Sequence, residues 1–542
     1  MDFCTSTAGP RSFGLQRNDY KMCRCPAIAR VCAYGLALLL PLICSQLDAM
    51  NSDFETLLLT PDEMAAADAA AARSGIDSFG LMEKAGQAVT ATALRHYPQT
   101  RRFVVLCGPG NNGGDGYVAA RALALVGCHT EIYALGDPEA LTGDARRAFE
   151  HCPIIPEPLA SLEPRTGDTV IDAIFGAGLA RAVPEEVWQV IARVEATGVP
   201  VVAVDLPSGL CGRSGVPLGA AFKADRTVTF MTKKPGHMLM PGRSLCGDIE
   251  VCDIGIPRRI LQAAAGKIRR NHPVLWQGLM PSPQAASHKY RRGHLAVFSG
   301  SGSHTGAARL SATAGLAAGA GLVTVASPAD AMAANAGHLT AVMLRQVETP
   351  DDLREWLSAA KLSAFVLGPG FGVGGKAREF VSTLEGRPLV LDADGITSFR
   401  EDRDRLFEAY RGSGPHLVLT PHEGEFARLF PEIARDDGLG KVEKALAAAG
   451  QAGAIIVYKG ADTVVGGPDG RAFINENAPP WLATAGSGDV LAGMIGALLA
   501  NDVPALEAAA AGVYLHGEAA LRAGRAMTSE DLVHHIAPID AD

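Results

Sequence analysis

Residues 484–493 read TAGSGDVLAG, and an apolar run at helical spacing, residues 490–500, follows at once. A glycine-rich turn that opens a helix leaves backbone N–H groups unpaired, and the aligned peptide dipoles add partial positive charge there. Such a turn cradles an anion, phosphate above all. Asp489 stands at the lip of this cradle. A carboxylate repels phosphate and would hold it poorly. It is well suited to taking the proton from a hydroxyl that attacks the phosphate. The competing reading is an aspartate that only caps a helix, and four residues alone do not separate the two.

A second constellation lies earlier. The apolar run 103–107 enters GPGNNGGDG, residues 108–116, and helical spacing follows to Val126. Strand, glycine-rich turn and helix open a nucleotide-binding unit. The spacing departs from G-x-G-x-x-G, and Asn111, Asn112 and Asp115 are interleaved as ligand contacts would be. Two further strand candidates, 169–172 and 201–205, end in Asp172 and Asp205, with Ser208 close behind. Parallel sheets bind ligands beyond the carboxyl ends of their strands. Asn112, Asp172, Asp205 and Ser208 therefore fall where hard oxygen donors could meet a hard cation. Each aspartate taken singly could cap a turn. The strand candidate 227–230 leads to Lys233 and Lys234; Lys234 is a weaker acid/base candidate than Asp205, because Lys233 beside it could serve equally.

These residues need elements to position them. A chain of 542 residues exceeds one core and predicts two or three domains. With 48% hydrophobic and 20% charged residues it is globular, and a net charge of −9 argues against a nucleic-acid binder. Of the 11 cysteines, five fall in residues 1–49 and six between Cys107 and Cys252, with no zinc-ligand spacing. Most of the second group lie in apolar contexts, which fits free thiols in a reducing compartment. Residues 1–49 carry Lys21, Arg24 and Arg30 before a short apolar run, 31–43. That run is below the ~20 residues of a membrane span. It resembles a signal peptide without a clear cleavage site, and the favoured expectation is a functional chain that begins near Met50. Residues 61–96 read as helices. A basic stretch before Pro273 marks a domain boundary, giving residues 50–272 and 273–542. The second half alternates again, with strands expected at 294–299, 322–326, 364–367, 389–391, 416–419 and 454–458. Both halves thus predict α/β folds: a Rossmann-like three-layer α/β/α domain and a second α/β domain.

Two motif sets resemble one family. GPGNNGGDG at 108–116 with DLPSG at 205–209 is similar to the epimerase domain of NAD(P)HX repair enzymes. GPG at 368–370, LDAD at 391–394, TPHEGE at 420–425, KGADT at 459–463 and GSGD at 486–489 resemble the ADP-dependent dehydratase domain, whose fold is ribokinase-like. The resemblance implies a bifunctional enzyme that repairs hydrated NADH and NADPH: epimerisation of the R and S forms, and dehydration of the S form with ADP, releasing AMP and phosphate. It implies K+ at Asn112, Asp172 and Ser208. It implies epimerase substrate contacts at Asn111, Asn112, Gly113, Gly114 and Asp115, at Gly176, Ala177, Gly178, Leu179, Ala180, Arg181 and Ala182, and at Asp205, which is also the expected acid/base. In the dehydratase it implies substrate contacts at Ala307, Gly370, His422 and Asp489, with Asp489 as the catalytic base. ADP falls to Lys459, Gly460, Ala461, Asp462, Thr463 and Gly488, with Mg2+ as cofactor. Substrates are then NADHX, NADPHX and ADP, in a cytoplasmic homo-oligomer with no nucleic-acid or membrane partner.

The dehydration has a simple logic. Hydroxide leaves poorly, and phosphorylating the ring hydroxyl turns it into a good leaving group. The amides of Gly486 to Gly488 would stabilise the transferred phosphoryl group, and Lys459 would offset its charge. Two rivals remain open at this level: a small-molecule kinase on the same fold with a fused nucleotide-binding domain, and a nucleotide-sensing protein with an inactive first half.

Overall fold

The computed structural model describes residues 54–281, 289–412, 414 and 416–537; the leader, residues 1–49, lies outside the described residues. The first half builds one sheet from β1 (Arg102–Cys107), β2 (Thr130–Ala134), β3 (Glu157–Pro158), β4 (Asp168–Ala173), β5 (Val201–Val204), β6 (Arg226–Phe230) and β7 (Asp248–Cys252). Its order is β3-β2-β1-β4-β5-β6-β7, and every pairing is parallel. Strand order reverses between β1 and β4, which opens a crevice at their carboxyl ends. The sequence reading does not anticipate β2, β3 and β7.

Three helices frame that crevice: α1 (Pro61–Arg73), α2 (Ser78–His96) and α3 (Asn111–Leu125). The start of α1 is set by a capping box between Thr60 and Glu63 with Pro61 at the first position. Asp77 caps α2. One expectation needs correcting. Asn111 to Asp115 are not a connecting turn; they form the first turns of α3, behind Gly110. The glycines serve close packing. A Cβ on Gly113 would lie 2.0 Å from the Gly108 carbonyl oxygen, and one on Gly116 would lie 2.7 Å from Ala173 Cβ. Gly113→Ala is therefore expected to destabilise the protein by about 1–3 kcal/mol, read as a lower urea midpoint; an unchanged midpoint would refute the packing role.

The second half builds a ten-stranded sheet: β8 (Ile268–Arg270), β9 (His294–Phe298), β10 (Leu322–Ser327), β11 (Met343–Gln346), β12 (Ala364–Leu367), β13 (Leu389–Leu391), β14 (Leu417–Leu419), β15 (Ile455–Tyr458), β16 (Val464–Gly466) and β17 (Ala472–Ile474). The order is β11-β10-β9-β12-β13-β14-β15-β16-β17-β8. Pairing is parallel from β11 to β15, and β15, β16 and β17 form an antiparallel meander. The sequence reading misses β8, β11, β16 and β17. Strand β8 precedes residue 273 yet pairs with β17 of this second sheet.

Five helices matter to the second site: α4 (Gly306–Ala317), α5 (Glu423–Leu429), α6 (Lys441–Ala452), α7 (Ser487–Ala500) and α8 (Ala505–Ala523). Every residue of α7 from Val490 to Ala500 is buried. It lies against α4 so closely that a Cβ on Gly493 would come within 2.0 Å of the Ser311 carbonyl oxygen. The halves also share packing. Leu58, Met238 and Leu239 join the apolar cluster on one face of the second sheet, and Glu476 accepts from Lys233 and Arg270 at 3.0 and 2.9 Å. Among the described residues, no helix is long and apolar enough to cross a membrane. The six cysteines from Cys107 to Cys252 are all free thiols.

Candidate functional sites

The crevice of the first sheet is a cavity of about 710 Å3. Of the residues singled out from the sequence, Asn111, Asn112, Asp115, Gly176, Ala177, Gly178, Leu179, Ala180, Arg181 and Asp205 line it. Gly113, Gly114 and Ala182 do not. Gly113 and Gly114 are buried in helix packing, the latter facing Met82.

Asp205 follows β5 with a backbone φ of 64°. Left-handed backbone at a non-glycine residue is costly and recurs at functional sites. The neighbours hold it there. Asp205 Oδ1 accepts from Lys234 Nζ at 2.5 Å and from Thr229 at 2.9 Å, and Oδ2 accepts from the Ala177 N–H at 2.9 Å. Burial alone would raise this carboxyl, but the Lys234 ammonium outweighs it and holds the group down at about 2. His237 accepts the Lys234 N–H at Nδ1, so Nε2 carries the proton donated to the Asp205 carbonyl. Burial and the Lys234 charge push His237 down to about 4, so the ring stays neutral. The structure therefore separates the two lysines: Lys234, buried, belongs to this cavity, and Lys233 reaches Glu476 of the second half.

Asp172 and Ser208 meet behind the cavity wall, both fully buried. Asp172 accepts from the Ser208 N–H at 2.7 Å, the Ser208 hydroxyl at 2.5 Å and the Ile174 N–H at 3.3 Å. These partners are all neutral, and burial raises the carboxyl to about 6. Asn112 Oδ1 lies against Gly176 beside Asp205 Oδ2, and its Nδ2 is buried without a hydrogen-bond partner. Among the described residues, no group of three His, Cys, Asp or Glu side chains has metal-site geometry.

Sequence reasoning passes over Asp68 of α1, which also lines this cavity. The signal was available: Pro61, Met64, Ala65 and Asp68 fall on one helical face, and all four line the cavity.

The second site lies at the start of α7. Gly486 sits at φ 85°, and a Cβ there would meet Leu310 of α4 at 2.8 Å. The first-turn N–H groups that follow lack intrahelical acceptors. Lys459, directly after β15, donates to Asp392 Oδ1 at 2.8 Å. A Cβ built on Gly488 would lie 3.5 Å from Lys459 Nζ and 3.8 Å from Asp392 Oδ2, so this ion pair hangs over the cradle. Burial would lower the Lys459 ammonium, but Asp392 outweighs it and the group is raised. Burial and the Asp392 charge, partly offset by Lys459, push Asp489 up to about 6. Asp392 is the residue sequence reasoning missed here. It is an acid directly after a parallel strand, the same rule that selects Asp172 and Asp205.

The other predicted residues divide. Gly370, at φ 64°, lies against Ala307, with their Cβ positions 3.5 Å apart. Helix α4 ties them to the cradle through Ser311, whose hydroxyl donates to the Asp489 carbonyl at 2.7 Å. His422 caps α5: Nδ1 accepts from Gly424 and Glu425 N–H at 3.0 and 3.3 Å, and the ring remains half exposed. Thr463 closes a turn on the Gly460 carbonyl. Asp462 turns away from the cradle, with Oδ1 on Lys441 and Oδ2 accepting the Met240 N–H at 2.8 Å. Ala461 offers its carbonyl to Arg243.

A family model described as NAD(P)H-hydrate dehydratase matches residues 295–539, and one described as YjeF-related protein N-terminus matches residues 78–236. A bifunctional NAD(P)H-hydrate repair enzyme of Moorella thermoacetica is 38% identical over 512 residues, covering 88% of this chain and 95% of that protein. The Escherichia coli protein of the same name is 33% identical over 458 residues, covering 82% and 85%. Among solved structures, the ADP/ATP-dependent NAD(P)H-hydrate dehydratase from Bacillus subtilis, co-crystallized with ATP and Mg2+, is 26% identical. It covers 47% of this chain and 92% of its own, with a TM-score of 0.41.

Proposed function

The chain belongs to the bifunctional NAD(P)H-hydrate repair enzymes, and from that membership we propose how its two sites share the work. The protein interconverts the R and S epimers of hydrated NADH and NADPH, and dehydrates the S epimer with ADP to NAD(P)H, AMP and phosphate. Epimerisation belongs to residues 50–272 and dehydration to residues 273–542. The observation that carries this division is the coexistence of two unlike sites: a strand-edge cavity with the Asp205–Lys234 pair, and an anion cradle overhung by Asp489, Lys459 and Asp392.

In the second site, Asp489 takes the proton of the substrate hydroxyl as that oxygen attacks the terminal phosphoryl group of ADP. The amides of Gly488 and Asp489 and the Lys459 ammonium take up charge on that group. Ala307, Gly370 and His422 contact the hydrated nicotinamide nucleotide. The 459–463 loop contacts ADP, with Asp462 bracing the loop. The carboxylates of Asp392 and Asp489, neighbours at the cradle, are hard oxygen donors that fit Mg2+ held largely through its waters. Bound there, the ion would neutralise phosphate charge.

In the first site, residues 111–115, 176–182 and Asp205 hold the substrate, and Asp205 exchanges a proton with it. Asp172, Ser208 and Asn112 fit K+. A fully buried carboxylate with only neutral partners can be matched by a single positive charge, and the Asn112 amide oxygen and Ser208 hydroxyl are hard donors of the kind K+ takes. K+ there would neutralise substrate phosphate. The protein works in the cytoplasm, where NADH and ADP are found, as a homo-oligomer without nucleic-acid or membrane partners.

The test is to incubate purified protein with each epimer of hydrated NADH, with and without ADP. Without ADP the epimers should interconvert and no NADH should form. With ADP both should end as NADH, with one phosphate released per turnover. A phosphorylated product that accumulates would favour a kinase, and absence of turnover would favour a sensing protein.

A further inference from the structure

Asp205 has a partner for each carboxylate oxygen and is held ionised. A second group is needed if the hydroxyl leaves one face of the ring and water returns to the other. The cavity offers one on a different wall. Asp205 stands at the carboxyl end of the interior strand β5, whereas Asp68 belongs to α1, beside Met64 and Ala65 in the cavity lining. Asp68 is exposed to the open cavity and, among the described residues, makes no hydrogen bond or ion pair, so its carboxyl is available to a ligand.

We propose that Asp68 is a second catalytic acid/base of the epimerisation, acting across the cavity from Asp205; this rests on the assignment of epimerisation to the first site. Hydration of an enamine puts the hydroxyl on the carbon bonded to the ring nitrogen, because the cation at that carbon is an iminium. Epimerisation then runs through that iminium. Asp68 gives its proton to the hydroxyl, the carbon–oxygen bond breaks, and the nitrogen lone pair forms the carbon–nitrogen double bond as water leaves. Water adds to the opposite face, the double bond returns its electrons to nitrogen, and the proton lost by that water passes to Asp205. Asp205 then releases that proton to solvent, and Asp68 regains one from solvent.

The electrostatics support this division. Partial desolvation by the surrounding cavity walls raises Asp68 to about 6, with Lys234 lowering it and Asp205 raising it. Burial, with Asp205 and Asp68 adding to it, drives Asp115 well above the carboxylate range. Two carboxyls pushed apart in this way are the usual mark of an acid/base pair.

The experiment follows interconversion of the epimers chromatographically in the absence of ADP. Asp68→Asn should lower the epimerisation kcat by about 10²–10⁴-fold, with KM within about threefold. Asp68→Glu should recover at least about tenfold of that loss. Dehydration of the S epimer with ADP reports that each variant is folded. Asp68→Asn epimerising within about threefold of wild type would overturn the proposal. So would a raised KM with unchanged kcat, which would make Asp68 a binding residue only. Failure of the unmodified protein to epimerise would instead sink the assignment of the first site.

Discussion

Asp489→Asn should cut dehydration of the S epimer by about 10²–10⁴-fold while ADP binding stays within a few-fold. The amide has nearly the volume of the carboxyl, so α7 should start as before and the cradle N–H groups should remain. What disappears is the group that takes the hydroxyl proton. The pH dependence gives a second signature. Burial and the Asp392 charge put Asp489 at about 6, and only its ionised form can act as base. The wild-type rate should therefore fall as pH drops through about 6 and level off above it. In the Asn variant that limb should vanish. Calorimetric titration of ADP, set beside turnover, separates loss of chemistry from loss of binding. Wild-type turnover in the variant would end the assignment.

Asp172→Ala should stop enzymatic interconversion of the epimers and leave dehydration of the S epimer unchanged. The carboxylate is the acceptor for the Ser208 N–H, the Ser208 hydroxyl and the Ile174 N–H, all buried behind the cavity. Its loss strands the Ser208 and Ile174 N–H groups, at about 1–3 kcal/mol for each left unsatisfied, while the Ser208 hydroxyl keeps the Phe175 carbonyl at 3.1 Å. It also frees the wall that runs from Ile174 through residues 176–181, and removes the charge proposed to hold K+. The second site shares none of these residues. With ADP present, R epimer should then disappear only as fast as it converts spontaneously. Consumption of both epimers at the wild-type rate would show that this cavity is not the epimerase.

Asp392 shows the limit of reading motifs singly. LDAD marks the resemblance to the family, yet nothing in its spacing shows that Asp392 meets a lysine 67 residues later. Asp462 shows the converse. It lies inside a predicted nucleotide loop, and the fold spends its carboxylate on Lys441 and on the Met240 N–H. Strand β8 shows why the boundary is hard to read: a three-residue strand carries no periodicity, and its sheet is chosen by the edge that lies open beside it.

Sequence alone determined the α/β class of both halves, the glycine cradle with Asp489, and the acids at the ends of β4 and β5. Those features rest on local physics: apolar strand runs, glycines that permit close approach, and ligands that gather at carboxyl ends of parallel strands. Tertiary structure alone decided that Lys234 and not Lys233 faces Asp205, that Asp68 shares their cavity, and that Asp392 overhangs Gly488. Adjacent lysines are indistinguishable until one is buried and the other carried to Glu476. A lone acid in an alanine-rich helix gains its meaning only when that helix closes over a strand edge far along the chain.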